Sequence, residues 1–280
     1  MSVRIIKLSL LVLIGLSAIT ISCQKMDRPQ LKQLILDTIP EAPPYNPVKT
    51  LFSFEGNSGD SGEAKSSTID SNVTYGAGVN GKAVIFGSRG YIVEKTISDS
   101  LKSLGSFTLA FWMNGAGPVT GGAQGLFAIS NKTQFWGNLE LFLENLDAGD
   151  TAFLKVHMFN ASAPDGVGEQ WNEIKLAGAL NKWTHIALTY DSATSKLNLY
   201  MDGALTSLSK VLSDGKYGGI TFKDVNGMSV GTYAFQPTPS LTNHGPEDWA
   251  RSFNGSMDQL RLEKGALSAT EIKSLYDSKQ

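Results

Sequence analysis

Two carboxylates stand four residues apart in Glu140-Leu141-Phe142-Leu143-Glu144. Side chains alternate along an extended chain, so both would fall on one face of a strand. A carboxylate pair is the working part of a glycosidase: one protonates the leaving oxygen and the other attacks or steadies the sugar. In the retaining case the two lie about 5–5.5 Å apart with their pKa values driven apart by their surroundings. Alternating glutamates on a solvated strand face would give the same spacing with no chemistry at all.

The aromatic residues suggest a different activity. Sugars present apolar C–H faces that stack on rings, so tryptophan among polar neighbours is a mark of glycan binding. Trp136 (Gln134-Phe135-Trp136-Gly137-Asn138), Trp171 (Glu169-Gln170-Trp171-Asn172) and Trp249 (Glu247-Asp248-Trp249-Ala250-Arg251) have that setting and read as lying between strands. Tyr233, Phe235 and His244 join them in a proline-punctuated stretch, 231–252, longer than a simple connection requires. The plain alternative is that each of these tryptophans covers an edge of the core. Trp112 and Trp183 fall within regular strand patterns and read as fold residues.

Other chemistries find no support. His157, His185 and His244 are scattered without metal-ligand spacing. There is no Gly-x-Ser-x-Gly, P-loop or dinucleotide fingerprint. The net charge is −2 with no cationic cluster, which argues against a nucleic-acid partner.

The elements that must position these residues are strands. Phe107, Leu109, Phe111 and Met113 alternate through 106–113, as do Ile186, Leu188 and Tyr190 through 183–190. Residues 196–201 lead into Asp202-Gly203, a strong hairpin signal because both residues tolerate positive φ. Weaker strands are expected at 51–54, 82–86, 90–94, 125–130, 138–144, 152–158, 228–232 and 253–262. Only the last segment predicts a helix, opened by the capping box Ser268-Ala269-Thr270-Glu271 with Ile272, Leu275 and Tyr276 as its apolar stripe. Many strands, one terminal helix and no βαβ alternation predict an all-β, two-sheet antiparallel sandwich.

Residues 1–22 have the form of an export signal. Arg4 and Lys7 precede the apolar run Leu8 to Ile21, too short for the ~20 residues of a spanning helix. The run ends Thr20-Ile21-Ser22-Cys23, which resembles a bacterial lipobox, with Cys23 as the lipidated residue. A plain secretory signal with an incidental cysteine is the alternative. Because Cys23 is the chain's sole cysteine, the remainder folds without a disulfide. Gln24-Lys25-Met26-Asp27 resembles the signal that sends some lipoproteins to the outer face of the outer membrane. Residues 23–48, with five prolines, read as a tether, although 30–39 could form a helical turn or two. Residues 49–280 would then be one domain.

Four segments in order resemble the laminin-G-like, concanavalin A-like jelly-roll family. They are Leu51 to Asn57 with Asp60-Ser61-Gly62, Ser106 to Asn114, Lys182 to Leu205, and Phe253 to Leu262 continued by Gly265 to Ile272. The resemblance spans 50–277 and implies two stacked sheets with a short C-terminal helix. It also implies a structural Ca²⁺ between the first and last strands, at Glu55, Asn57 and Asp258. The alternatives are that Asp258 caps a turn or pairs with Arg261, and that Glu55 is solvated. Family 16 glucanases share the fold and carry Glu-x-Asp-x-Glu on one strand. Here Phe142 replaces the central Asp, removing the group that tunes the outer pair. The resulting expectation is a non-catalytic surface lipoprotein that binds polysaccharide or glycoconjugate through Trp136, Trp171, Tyr233, His244 and Trp249. The second reading is an adhesin or structural module that binds other surface proteins, and the third a glycoside hydrolase using Glu140 and Glu144.

Overall fold

The computed structural model describes residues 48–63 and 68–280. The segments expected to be a signal (1–22), a lipidated Cys23, a helical turn (30–39) and, up to residue 47, a tether lie outside the described residues.

The alternation in Phe107, Leu109, Phe111 and Met113 does what its period requires. β4 (Phe107–Gly115) turns those four side chains into the main core. It pairs antiparallel with β9 (Thr184–Asp191), setting Leu109 opposite Leu188 and Phe111 opposite Ile186. β9 continues to β10 (Lys196–Met201), and Asp202-Gly203 turns the chain into β11 (Ala204–Val211). Both turn residues are left-handed, with φ of 50° and 76°, the geometry that matches the twist of a tight hairpin. On the other side of β4 lies β14 (Gly255–Lys264), which also pairs with β1 (Val48–Phe52).

A single long strand joins this layer to the second one. β3 (Lys82–Glu94) pairs with β14 through Val84 and Ile85, and with β12 (Met228–Val230) through Ile92 to Glu94. The ladder then runs through β5 (Ala123–Ile129), β6 (Leu139–Glu144), β7 (Ala152–Phe159) and β8 (Glu169–Leu176). β2 (Thr68–Ala77) flanks β3, and β13 (Ala250–Ser252) runs parallel beside β5. Leu139, Leu141, Leu143, Leu154, Val156 and Met158 of the second layer meet the first-layer side chains in one buried cluster. The fold is an all-β antiparallel sandwich.

Each layer also carries cover on its outer face, so β4 and β9 are buried on both sides. Over the first layer lies α2 (Ala269–Ser278), following the short α1 (Asp99–Lys102) in chain order. Ser268 Oγ accepts from Glu271 N, and the Glu271 carboxylate accepts from Ser268 N at 2.7 Å, completing the expected capping box. Ile272 then packs on Ala110, Ala187 and Tyr200, while Tyr276 stacks on Trp112 at 5.4 Å. The chain from 231 to 249 covers part of the second layer, over Glu140 and Phe142 of β6, while Trp171, Glu173 and Lys175 of β8 stay exposed.

Several elements differ from the sequence expectation. The strands expected at 82–86 and 90–94 are one strand, bulged between them. Trp171 lies within a strand, not between strands. Its pattern is masked because Asn172, buried at 3 % exposure, occupies an inward position where the alternation calls for an apolar residue. β2 escapes because polar residues occupy both of its faces, and α1 because a four-residue helix has no periodicity to read.

Candidate functional site

The outer face of the second layer is built by alternation on β6, β7 and β8. While Leu139, Leu141 and Leu143 enter the core, Glu140, Phe142 and Glu144 face the other way. Cross-strand pairing sets Glu140 opposite His157 and His157 opposite Trp171. A second row sets Phe142 opposite Lys155 and Lys155 opposite Glu173.

Aromatic side chains from two loops close over these rows. Trp136, from the β5–β6 connection, stacks on Phe142 with centroids 5.9 Å apart and planes 10° apart. Tyr233 and Phe235, from the long loop, stack on each other at 5.1 Å, and Phe135 stacks on Phe235 at 4.5 Å. Trp171 meets Trp136 edge-on at 5.0 Å, and Trp249 reaches it from the other side at 6.1 Å. Trp171 and Trp249 are 43 % and 41 % exposed, and Trp136 is half-buried between them. The three indoles form a continuous surface with angled rather than coplanar rings.

All five residues named from sequence for ligand binding therefore belong to one neighbourhood, with unequal access. His244 is exposed and lies edge-on to Phe135 at 4.6 Å, with Nε2 3.6 Å from Glu247. Tyr233 needs correction. It is 1 % exposed and supports the indoles from below, because a loop that covers an apolar sheet face must bury its own rings to do so. Phe135, Phe142 and Phe235 complete the support. Phe135 adjoins Trp136 in sequence, and that adjacency is the one available signal for it.

The alternative reading of Glu140, a place on a solvated strand face, is not met either. Glu140 is 1 % exposed, and the long loop seals it by donating Ala234 N–H to Oε1 at 3.4 Å. Its Oε2 has no hydrogen-bond partner, and burial pushes its pKa up to about 8. Beside it, burial lowers the His157 pKa against the opposing pull of Glu169, whose carboxylate lies 3.1 Å from Nε2. The same carboxylate accepts from Trp171 Nε1 at 3.3 Å. Burial, with Glu140 nearby, raises the Tyr233 phenol. Glu144 is half-buried, and its Oε1 is occupied by Asn145 N–H at 3.0 Å. Phe142, roofed by Trp136 and Tyr233, separates the two glutamates along the strand.

The three calcium candidates are placed as follows. Asp258 Oδ2 accepts from Val79 N at 2.8 Å and Asn80 N at 3.1 Å, and Oδ1 accepts from Gln259 N. Glu55 accepts from Lys82 N at 3.0 Å, and Asn57 holds its own turn by accepting from Gly59 N. Glu55 and Asp258 thus clasp the same β2–β3 turn from its two ends. Their donor set is peptide N–H, whereas Ca²⁺ takes six to eight oxygens. Arg261 pairs with Glu263 at 2.7 Å, not with Asp258. Among the described residues no group of three or more His, Cys, Asp or Glu side chains is placed to hold a metal.

The family model for the concanavalin A-like lectin/glucanases superfamily (Laminin_G_3) matches residues 86–222. No curated protein matches the chain. Among solved structures, the binding domain of Paraclostridial Mosquitocidal Protein 1 is 16 % identical with a TM-score of 0.58, over 84 % of this chain and 52 % of that one. The binding domain of botulinum neurotoxin DC, solved with SialylT, is 12 % identical with a TM-score of 0.57, over 84 % and 52 %. Domain 4 of AbnA, an extracellular arabinanase of Geobacillus stearothermophilus solved with arabinotriose, is 18 % identical with a TM-score of 0.53, over 82 % and 98 %. The chain spans about half of each toxin domain and nearly all of the arabinanase domain. At these identities the likeness is one of fold, and with the family match it makes the sandwich a concanavalin A-like jelly roll.

Proposed function

We propose that this chain is a non-catalytic carbohydrate-binding protein that captures polysaccharide at the cell surface. The observation that carries the reading is the indole surface of Trp136, Trp171 and Trp249. Two rings are exposed at about two-fifths of their area, yet buried Phe142, Tyr233 and Phe235 fix them from beneath. Exposed tryptophan costs hydration free energy, and a rigid ring offers a sugar a stacking face with little entropy left to lose. Structural relatives solved with arabinotriose and SialylT are in keeping with a saccharide ligand. Sealing of Glu140 by the loop favours binding over hydrolysis, since an acid must reach the glycosidic oxygen. The export signal and Cys23 support a lipid-anchored protein of the outer membrane.

The test is a glycan and polysaccharide array probed with the full chain and with Trp171→Ala and Trp249→Ala. Binding by the parent, weakened about tenfold or more by each substitution, is expected; tenfold corresponds to about 1.4 kcal/mol. Bound polysaccharide should release no reducing ends. An array silent for the parent chain, or binding indifferent to both substitutions, would overturn the assignment to this face.

A further inference from the structure

A cleft of about 690 Å³ opens between β3 and the segment 236–254, and none of the three indoles lines it. One wall is a built irregularity. Ser71 pairs with Tyr91 and Val73 with Phe86, so Asn72 alone stands opposite the four residues 87–90. Asn72 Nδ2 holds this bulge by donating to Ser88 O at 2.7 Å. A Cβ on Gly90 would lie 2.6 Å from Asn72 O, and one on Gly87 2.9 Å from it, so both flanking positions require glycine. Between them Arg89 is held at φ 57°, a left-handed conformation that glycine would adopt without strain. Arg89 lines the cleft, is exposed, and has no hydrogen bond or ion pair among the described residues.

The opposite wall supplies complementary groups. Asp248 is exposed and likewise unpartnered. Arg251 is braced through Nε to Gly121 O at 3.1 Å, and its terminal nitrogens make no other hydrogen bond. Tyr91 is half-buried at the side, and Phe86 lies edge-on to Phe253 at 6.1 Å beneath. The segment 247–251 is a shared partition: Asp248 and Arg251 line the cleft, while Trp249 joins the indole surface.

We infer that this cleft is a second saccharide subsite, one that takes an uncharged, hydroxyl-rich ligand. The inference rests on the saccharide reading above but concerns a different set of residues. Guanidinium groups donate to sugar oxygens, the Asp248 carboxylate accepts from hydroxyls, and Tyr91 offers a ring. Two arginines and two carboxylates, Glu247 and Asp248, line the same space, so a net charge on the ligand would be attracted by one pair and repelled by the other. The volume falls within the usual range for a pocket holding a small ligand, roughly 300–1,000 Å³.

The test is calorimetric titration of the full chain with arabinotriose, cellotriose and mannotriose, and with trigalacturonate as the charged comparison. The variants are Arg89→Gly, Asp248→Asn and Trp171→Ala. Arg89→Gly removes the side chain while relieving its backbone, so the thermal midpoint should hold or rise and lost binding cannot be ascribed to misfolding. The expected result is that at least one neutral trisaccharide binds, about tenfold more weakly to Arg89→Gly and to Asp248→Asn, as loss of a charge-assisted hydrogen bond implies. Trp171→Ala should lose what the indole surface contributes and keep the part that Arg89→Gly and Asp248→Asn weaken, so that the two sites titrate as separate phases. Binding lost in Trp171→Ala but unchanged in both cleft variants would overturn the cleft and leave the indole surface standing. Failure of all three neutral sugars, or tighter salt-sensitive binding of trigalacturonate, would also overturn the inference.

Discussion

Replacing Glu140 with glutamine isolates the cost of a carboxyl buried beneath the binding face. Burial raises its pKa from 4.5 to about 8. The folded chain therefore holds the proton more tightly than the unfolded chain. Its contribution to stability is fully present below pH about 4.5 and is lost as pH rises through about 8. Each tenfold difference in proton affinity is worth about 1.4 kcal/mol, so between pH 5 and pH 9 this group should withdraw about 4 kcal/mol. Glu140→Gln cannot ionise. The difference in unfolding free energy between variant and parent should thus move by about 4 kcal/mol in the variant's favour across that range. Other titrating groups cancel in the difference: Glu94, also raised to about 8 by burial and by Asp60, and His185, lowered to about 4 by burial and by Arg261. Urea unfolding followed by tryptophan fluorescence at pH 5, 7 and 9 gives the quantity directly. A difference that stays constant with pH would refute the claim that Glu140 is sealed and neutral.

Calcium in excess should leave the thermal midpoint of the full chain unchanged, because Asp258 Oδ1 and Oδ2 and Glu55 Oε2 already accept from the N–H groups of Gln259, Val79, Asn80 and Lys82. A rise with calcium that Asp258→Asn abolishes would restore the ion expected from the family resemblance. Cells fed a labelled fatty acid should incorporate it into the parent chain and not into Cys23→Ala; label retained by the variant would remove the lipid anchor from the proposal.

The strands that sequence reveals are those whose two faces differ in kind. β4 and β9 show their apolar period because Phe107, Leu109, Phe111 and Met113 fill one face of the first and Ile186, Leu188 and Tyr190 one face of the second, and the Asp202-Gly203 turn announces itself through positive φ. β8 does not, because Asn172 takes an inward position and Trp171 an outward one, reversing the usual contrast. That reversal also hides what the tryptophan does. The polar setting of Trp136, Trp171 and Trp249 is enough to single them out, since indoles with no strand-core partner must find cover or ligand elsewhere. Which rings lie on top and which beneath is not legible. Tyr233 and Trp249 share one loop and similar neighbours, and only the docking of that loop against Phe142 decides that the first is buried and the second exposed.

The same docking explains why the carboxylate pair misleads as a motif. Spacing along a strand fixes which face Glu140 and Glu144 share, but not what covers the face. A loop entering from nearly a hundred residues downstream covers Glu140 and leaves Glu144 half-buried, so one spacing yields two environments. The cleft at Arg89 is invisible in sequence for a related reason. Its walls come from a bulge on β3 and from the far end of the long loop, and neither segment alone carries a recognisable pattern. A trace is present in Gly87-Ser88-Arg89-Gly90, where two glycines bracket an arginine inside a strand run. Glycine within a strand marks a bulge or a close backbone approach. Here it marks both, and the residue displaced by the bulge is the one left without a partner.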